Sequence, residues 1–148
     1  MLRLIEWYPD QVSKSWHILK PMIGAALPPI SMSREDRMNK VLDAILSGRL
    51  DVHVCFDFTE EKSELYGVIV TTVIDIVDGT DRQLLVYAVY GYRKLIIEQV
   101  LEVFELIKKL AKSQGCTSIS GYTNIPKMIE YVKQMGWEAN YTFCRVEV

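Results

Sequence analysis

The sequence lacks the features that mark membrane-spanning and nucleic-acid-binding proteins. Its most apolar stretches, 66–76 and 84–90, are shorter than the roughly 20 residues that a membrane-spanning helix requires. Lys and Arg number 17 against 19 Asp and Glu, and no block of like charges offers an electrostatic footprint for nucleic acid. We therefore expect neither a membrane nor a nucleic acid as a partner.

Cysteine and histidine are also sparse. Cys55, Cys116 and Cys144 are widely separated, and an odd count without close pairs is typical of reduced thiols in an intracellular protein. The two histidines stand alone, so no Cys/His spacing predicts a metal site. Glu6 interrupts the first seven residues, so the sequence predicts no signal peptide there. These features favour a cytoplasmic protein.

What is present is the composition of one folded domain, 1–148. Hydrophobic residues make up 49% and charged residues 24% of the 148 positions, which is an ordinary globular balance. This length suits a single domain with a substantial core. No internal repeat, low-complexity tract or linker divides the chain.

The start of the chain predicts one strand and two helices. The strand covers 1–7, and apolar residues at steps of three or four predict a helix over 11–27. Pro21 is expected to kink this helix or to end its first part, because proline lacks a backbone donor. Ser33 and Asp36 resemble a capping box that opens the second helix.

The rest of the chain predicts a meander followed by alternating helices and strands. Alternation and β-branched residues predict three antiparallel strands over 50–58, 66–76 and 82–90. The remaining elements are a helix over 95–114, a strand over 117–123, a helix over 126–136 and a last strand over 141–148.

This element order resembles the GNAT (Gcn5-related N-acetyltransferase) fold along nearly the whole chain. The match is best where the long helix ends at Gly115 and the next helix ends in Met135-Gly136-Trp137, which is similar to the family's Leu-Gly-Phe. The resemblance implies an α/β (α+β) fold, with a mixed, mostly antiparallel central sheet of about six strands flanked by about four helices. The pattern also resembles GNAT-like proteins of tailed phages and prophages, which implies a virion-associated location if the chain is phage-encoded.

The resemblance also locates an expected acetyl-CoA site, and the residues there depart from the family pattern. Family members bind the pyrophosphate through a Q/R-x-x-G-x-G/A loop, whose glycines let backbone N–H groups approach the phosphates. The matching positions, 95–100, contain no glycine, and Glu98 would place a negative charge beside the phosphates. The sequence therefore predicts a degenerate site and no bound cofactor.

Two functions remain open at this point. The first is a non-catalytic or weakly active interaction protein, which binds a protein partner or further copies of itself. The alternative is an active acyl-CoA-dependent N-acyltransferase that uses acetyl-CoA, with an atypical phosphate site whose basic side chains replace the glycines. The residues of that atypical site are Gly91, Tyr92, Arg93 and Lys94.

The family's proton-transfer residues are matched only loosely. Many members carry a tyrosine on the last helix, four residues before the closing glycine, and that position here is Val132. Its neighbour Tyr131, about 100° away on the helix, is the candidate general acid. A general base would come from the central strands, where the candidates are Asp57, Glu64 and Asp75.

His53 is a second candidate for proton transfer. By the two-residue period of a strand it shares one face with Asp51, Cys55 and Asp57. We favour the simpler interpretation that these residues form the polar face of a half-buried strand.

Three tyrosines follow the predicted turn at Asp78-Gly79. Tyr90 and Tyr92 are expected on one face of their strand and Tyr87 on the other. In the family this strand separates from the next one and admits pantetheine. We expect the tyrosines to fill that opening rather than to line it.

Only one predicted strand follows the last helix, where the family usually has two. The sheet is therefore expected to be one strand short and to leave an exposed edge. Such an edge favours pairing with another chain.

Overall fold

The computed structural model describes residues 1–28, 36–92 and 94–148. Position 33 of the predicted capping box and position 93 of the atypical phosphate site lie outside them. Among the described residues no helix is long and apolar enough to cross a membrane. The described elements, in chain order, are β1 (Leu2–Trp7), α1 (Pro9–Lys14), α2 (Trp16–Ala25), α3 (Arg37–Leu46), β2 (Asp51–Phe58), β3 (Ser63–Asp75), β4 (Arg82–Gly91), α4 (Ile97–Ser113), β5 (Ser118–Gly121) and α5 (Pro126–Gln134).

The five strands form one sheet in the order β1-β2-β3-β4-β5. The first four strands pair antiparallel with their neighbours, and β5 pairs parallel with β4. A parallel pair needs a crossover connection, and α4 provides it. The prediction of a mixed, mostly antiparallel sheet flanked by helices is confirmed.

One core lies between the sheet and the first three helices. On β2 and β3, alternate valines point to this face and are at most 1% exposed. Full burial of a side chain of this size is worth roughly 1.5–3 kcal/mol. The buried members of this core are Val12, Leu19, Met22, Ile23, Val41, Ile45, Val52, Val54, Val68, Val70 and Ala88.

A second core lies on the opposite face of the sheet, under α4. Ile69 and Leu84 from the sheet pack there with Ile107 and Ala111 from the helix, and Cys116 joins them. Because β3 contributes to both cores, its sequence is continuously apolar rather than alternating. The sheet is therefore covered by helices on both faces.

The first predicted helix is divided in two, but not at the expected residue. The interruption lies at Ser15, whose N–H donates to the carbonyls of both Gln11 and Val12. Pro21 lies inside α2, so the prediction that it ends the first part was wrong. The proline is tolerated because the carbonyl that it leaves unbonded belongs to the exposed His17, where water can satisfy it.

The predicted last strand, 141–148, was also wrong. Residues 137–148 have no regular secondary structure, and Tyr141, Val146 and Val148 are among the most exposed apolar side chains described. A strand forms only when its backbone groups pair with a neighbouring edge, and within the described residues this segment pairs with none. The sheet therefore has five described strands instead of six.

Gly67 on β3 allows the close approach of β3 and β4. A Cβ atom at this position would overlap the carbonyl oxygen of Tyr90 on β4. At Gly121, by contrast, the nearest neighbour of a Cβ atom would be the carbonyl oxygen of Val86 at 3.5 Å, an ordinary contact. The two strand glycines therefore differ in what a methyl group would meet.

We expect Gly67→Ala to lower the free energy of unfolding by about 1–3 kcal/mol, because the added methyl group must push β3 and β4 apart. Gly121→Ala is the matched control and should change it by less than about 0.5 kcal/mol. Urea denaturation of both variants measures the difference. Equal losses in the two would contradict the close approach at Gly67.

Candidate functional site

The candidate site is the place where β4 and β5 separate. The two strands pair from Gln83 and Ser118 up to Val86 and Gly121. Beyond that point β4 continues to Gly91 without a partner on β5 in the described part of the chain. The pairing of the two strands therefore ends at the carboxyl end of β5, where the resemblance predicts that they separate.

Asp81 fixes the opposite, closed end of this strand pair. Its carboxylate accepts hydrogen bonds from the hydroxyl of Thr117 at 2.6 Å and from that of Ser118 at 2.9 Å. The amide of Gln83 donates to the same carboxylate at 2.8 Å. These hydrogen bonds, led by that of Thr117, lower the pKa of Asp81. The start of β5 is thus tied to the start of β4.

A bulge in β4 changes where its tyrosines point. Val70 of β3 faces Ala88, and the next residue, Thr71, faces Val86, so Tyr87 has no residue opposite it. As a result Tyr87 and Tyr90 both pack against the core under α1, α2 and α3. The prediction that they lie on opposite faces was wrong, because it assumed an unbroken two-residue period.

The tyrosines and their neighbours leave little space at the end of β4. The cavity there has a volume of about 40 Å³, and its walls include Cys55, Tyr90, Leu95 and Val103. A single water molecule takes about 30 Å³ in the liquid. The cavity lies between the sheet and α4, and Tyr90 is one of its lining residues. The expectation that the tyrosines fill the opening between β4 and β5 stays a prediction.

The start of α4 uses its own side chains where a phosphate would bind. Ile96 precedes the helix, and its N–H donates to the side-chain oxygen of Gln99 at 3.1 Å. Glu98 lies exposed in the first turn. In the Q/R-x-x-G-x-G/A pattern the two glycine positions fall on Glu98 and Val100, so side chains stand where close backbone approach would need glycine. The described residues here do not fit a main-chain diphosphate site.

The atypical phosphate site is only partly described. Gly91 ends β4, and the N–H of Tyr92 donates to the carbonyl of Tyr66 at 2.7 Å. Lys94 is exposed just before α4, and Arg93 lies outside the described residues. Gly91, Tyr92 and Lys94 thus lie between the end of β4 and the start of α4. A phosphate-binding role for them stays a prediction.

Tyr131 lies on α5 as predicted and is half-buried. The ammonium group of Lys127 lies 5.7 Å from the centre of its ring. The Tyr131 hydroxyl has no hydrogen-bond partner among residues 1–28, 36–92 and 94–148. The backbone carbonyl of the neighbouring Val132 accepts a hydrogen bond from the N–H of Trp137 at 2.9 Å. A role as general acid stays a prediction.

Two of the candidate bases are occupied by ion pairs. Asp57 lies 2.7 Å from the amino group of Met1, and Glu64 lies 2.8 Å from the ammonium group of Lys62. Asp75 is exposed at the end of β3 and lies opposite Arg82, at the start of β4. That position is far along β4 from the point where the strands diverge.

His53 and Cys55 are buried rather than half-buried. Their exposed fractions are 3% and 4%. Burial lowers the pKa of His53, and the nearby carboxylates of Glu6 and Asp51 only partly oppose this. Burial, with Glu102 and Asp57, raises the pKa of the Cys55 thiol to about 11. The interpretation as a half-buried polar face was therefore wrong.

Glu102 also joins α4 to the first strand. Its side chain accepts a hydrogen bond from the N–H of Leu2 at 2.9 Å. Sequence patterns carry no signal for this contact, because the two residues are 100 positions apart. The bulge at Tyr87 could not be predicted from the sequence either, because the residues beside it carry no bulge signature.

No family model matches the chain, and no curated protein matches it. Solved structures do match over essentially the full length. The ribosomal-protein-alanine N-acetyltransferase from Brucella melitensis biovar Abortus 2308 is 8% identical, with a TM-score of 0.66 and 100% of each chain covered. The chain has the acetyltransferase fold.

Two further structures share the acetyltransferase fold with this chain. AAC(6')-Iy, in complex with a CoA-containing bisubstrate analogue, is 11% identical with a TM-score of 0.65, and 100% of this chain and 98% of that chain are covered. A transcriptional regulator from Bacillus halodurans C-125 is 16% identical with a TM-score of 0.66 over 100% of both chains. At such low identity the likeness confirms the predicted GNAT-like fold alone.

We expect the buried His53 to make stability depend on pH. Its folded-state pKa lies below the ordinary value of 6.5, so the unfolded chain takes up the proton at higher pH than the folded chain. The free energy of unfolding should therefore fall as the pH drops from 6.5 towards that lower value. His53→Gln should remove this part of the slope, and urea denaturation between neutral and mildly acidic pH measures it.

The control is His17→Gln, which changes the exposed histidine of α2 and should leave the slope in place. A slope that persists unchanged in His53→Gln would mean that another group causes it.

Proposed function

We propose that this chain uses the acetyltransferase scaffold for protein contacts and transfers acyl groups weakly or not at all. The observation that supports this most directly is the start of α4. There the side chain of Gln99 occupies the N–H of Ile96, and Glu98 adds a negative charge. The described residues at this helix start thus do not offer the glycine-rich set of backbone N–H donors by which GNAT acetyltransferases hold acetyl-CoA.

The electrostatics of that helix end favour the same conclusion. The partial positive charge of a helix N-terminus stabilises one nearby anion, and here the carboxylate of Glu98 already benefits from it. A diphosphate bound there would meet the like charge of Glu98 and would have to displace the side chain of Gln99. Lys94 is the described basic residue closest in sequence to the helix start, and one exposed lysine contributes little on its own.

Exposed apolar side chains near the same helix end support a role in protein contacts. Ile97 and Leu101 are one turn apart on α4 and are 47% and 44% exposed. Tyr92, in the segment before the helix, is 62% exposed. Contiguous exposed apolar surface is typical of interaction sites, and tyrosine suits such surfaces because it combines a large apolar area with a polar tip.

We expect saturating acetyl-CoA to leave the melting temperature of the protein unchanged. A ligand that binds only the folded state raises that temperature, so the absence of a shift reports the absence of binding. Differential scanning fluorimetry with and without acetyl-CoA is the measurement. An increase that Lys94→Ala or Arg93→Ala removes, and that the exposed-lysine control Lys20→Ala keeps, would contradict the proposal.

The second candidate function is an active acyl-CoA-dependent N-acyltransferase. The observations that favour it are the end of the β4–β5 pairing at Val86 and the bulge at Tyr87. In this case Lys94, with Arg93, would have to hold the phosphates through their side chains.

If this second candidate holds, Tyr131→Phe should lower kcat by about 10²–10⁴-fold, because removal of a general acid typically has that effect. The thermal stability of the variant should remain near that of the wild type, since the hydroxyl has no described partner to lose. Tyr8→Phe, at an exposed tyrosine, is the control. Steady-state acyl transfer to a panel of amines measures the change, and equal rates for all three proteins would exclude Tyr131 from this role.

A further inference from the structure

One edge of the sheet is open along β5. This strand, Ser118–Gly121, pairs with β4 on one side, and on the other side it has no strand partner among the described residues. The hydroxyl of Ser120 is buried there and has no hydrogen-bond partner in the part of the chain that the structure describes. An open edge presents a row of N–H and C=O groups that can pair with another strand.

The same chain carries a strand-forming segment that pairs with nothing described. We call residues 141–148, Tyr-Thr-Phe-Cys-Arg-Val-Glu-Val, the tail segment. It is rich in aromatic and β-branched residues, which favour strands. Its side chains are exposed, and its backbone makes no hydrogen bond to any described residue. The protein thus contains both an open strand edge and an unpaired segment whose residues favour a strand.

Two ring contacts indicate the direction in which the chain enters the tail segment. Trp137 stacks on Phe104 with ring centres 5.6 Å apart, beside the start of β5. Phe143 contacts Tyr122, just past the end of β5, with ring centres 6.1 Å apart. Between residues 137 and 143 the chain therefore runs parallel to β5, from its start to its end. Residues 144–148 contain no Gly, Pro, Asn or Asp that would favour a turn back.

We propose that the tail segment of a second copy of this chain pairs with the free edge of β5, and that the exchange is mutual. A two-fold axis perpendicular to the strands makes the β5 strands of two copies antiparallel. A tail segment that continues in the direction of residues 137–143 is parallel to its own β5 and therefore antiparallel to the β5 of the other copy. The result is a closed two-fold dimer in which both open edges are paired.

A groove beside the start of β5 supports this arrangement. Its volume is about 340 Å³, and its walls include Phe104, Ile119 and Trp137. An antiparallel tail segment brings its last residues to the start of β5, where this groove lies. Val146 and Val148, which are exposed in the single chain, share one face of a strand and would fill the groove.

Size-exclusion chromatography with light scattering tests the proposal. The wild-type protein should have twice the 17.1 kDa mass of one chain. Val146→Pro should be monomeric, because proline removes a ladder hydrogen bond and does not fit a paired strand. Asn140→Pro is the matched control: it lies in the same exposed segment but before the paired residues, and it should remain dimeric.

Circular dichroism confirms that each variant is folded. A wild-type protein that is monomeric at every attainable concentration would overturn the proposal, and so would a dimer that persists in Val146→Pro.

A cross-linking experiment tests the geometry, in a Cys144→Ser background. Ser118→Cys and Val148→Cys are made as separate single variants, one of them carrying a mass tag. A short thiol cross-linker should join the two variants when they are mixed, because position 148 of one copy lies near position 118 of the other. Neither variant alone should give a cross-linked dimer. Failure of the mixture to cross-link, in a sample that is dimeric by light scattering, would assign the dimer to another surface and contradict the proposal.

Discussion

The hydrogen bonds of Asp81 determine where β4 and β5 are joined, and both the candidate site and the free edge of the sheet depend on that junction. Thr117, Ser118 and Gln83 all donate to this one carboxylate, so the start of β5 cannot move along β4. The pairing that begins at this junction ends at Val86 and Gly121, towards the end of β4 from which the chain enters α4. A single acidic side chain therefore positions both the opening of the candidate site and the surface inferred to bind a second copy.

The scaffold and the chemistry of the site are separable in this protein. The scaffold requires buried valines, a bulge and a parallel strand pair, and all of these are present. Binding of a diphosphate requires free backbone donors at the start of α4, and there the donor of Ile96 is taken by Gln99. A fold depends on many buried contacts and a ligand site on a few donors, so the presence of the fold does not by itself determine whether the site binds a ligand.

Most of the fold could be predicted from the sequence, because the period of apolar residues reports which face of an element is buried. The four strands from β2 to β5 and the helices α4 and α5 all lie within a few residues of their predicted bounds. The failures have a common cause. The bulge at Tyr87, the break at Ser15 and the unpaired tail segment each depend on what lies across space, and local pattern does not record that.

The candidate site was less predictable than the fold. The absence of glycine between positions 95 and 100 is visible in the sequence itself, but the use of the Ile96 N–H by Gln99 is not. His53 illustrates the same limit: its strand alternates as a half-exposed strand would, yet the side chain is 3% exposed. When elements distant in sequence bury both faces of a strand, the alternation of apolar and polar residues along it no longer distinguishes core from surface.

The unequal burial of the three cysteines makes the chain suitable for site-selective chemistry. Cys55 and Cys116 are buried, and the thiol of Cys55, with its pKa of about 11, carries almost no thiolate at neutral pH. Cys144 is exposed in the middle of the tail segment. A maleimide dye added to the native sequence would therefore attach at that one position. The fluorescence of such a conjugate would report on the surroundings of the tail segment, and no amino-acid substitution would be needed to attach the dye.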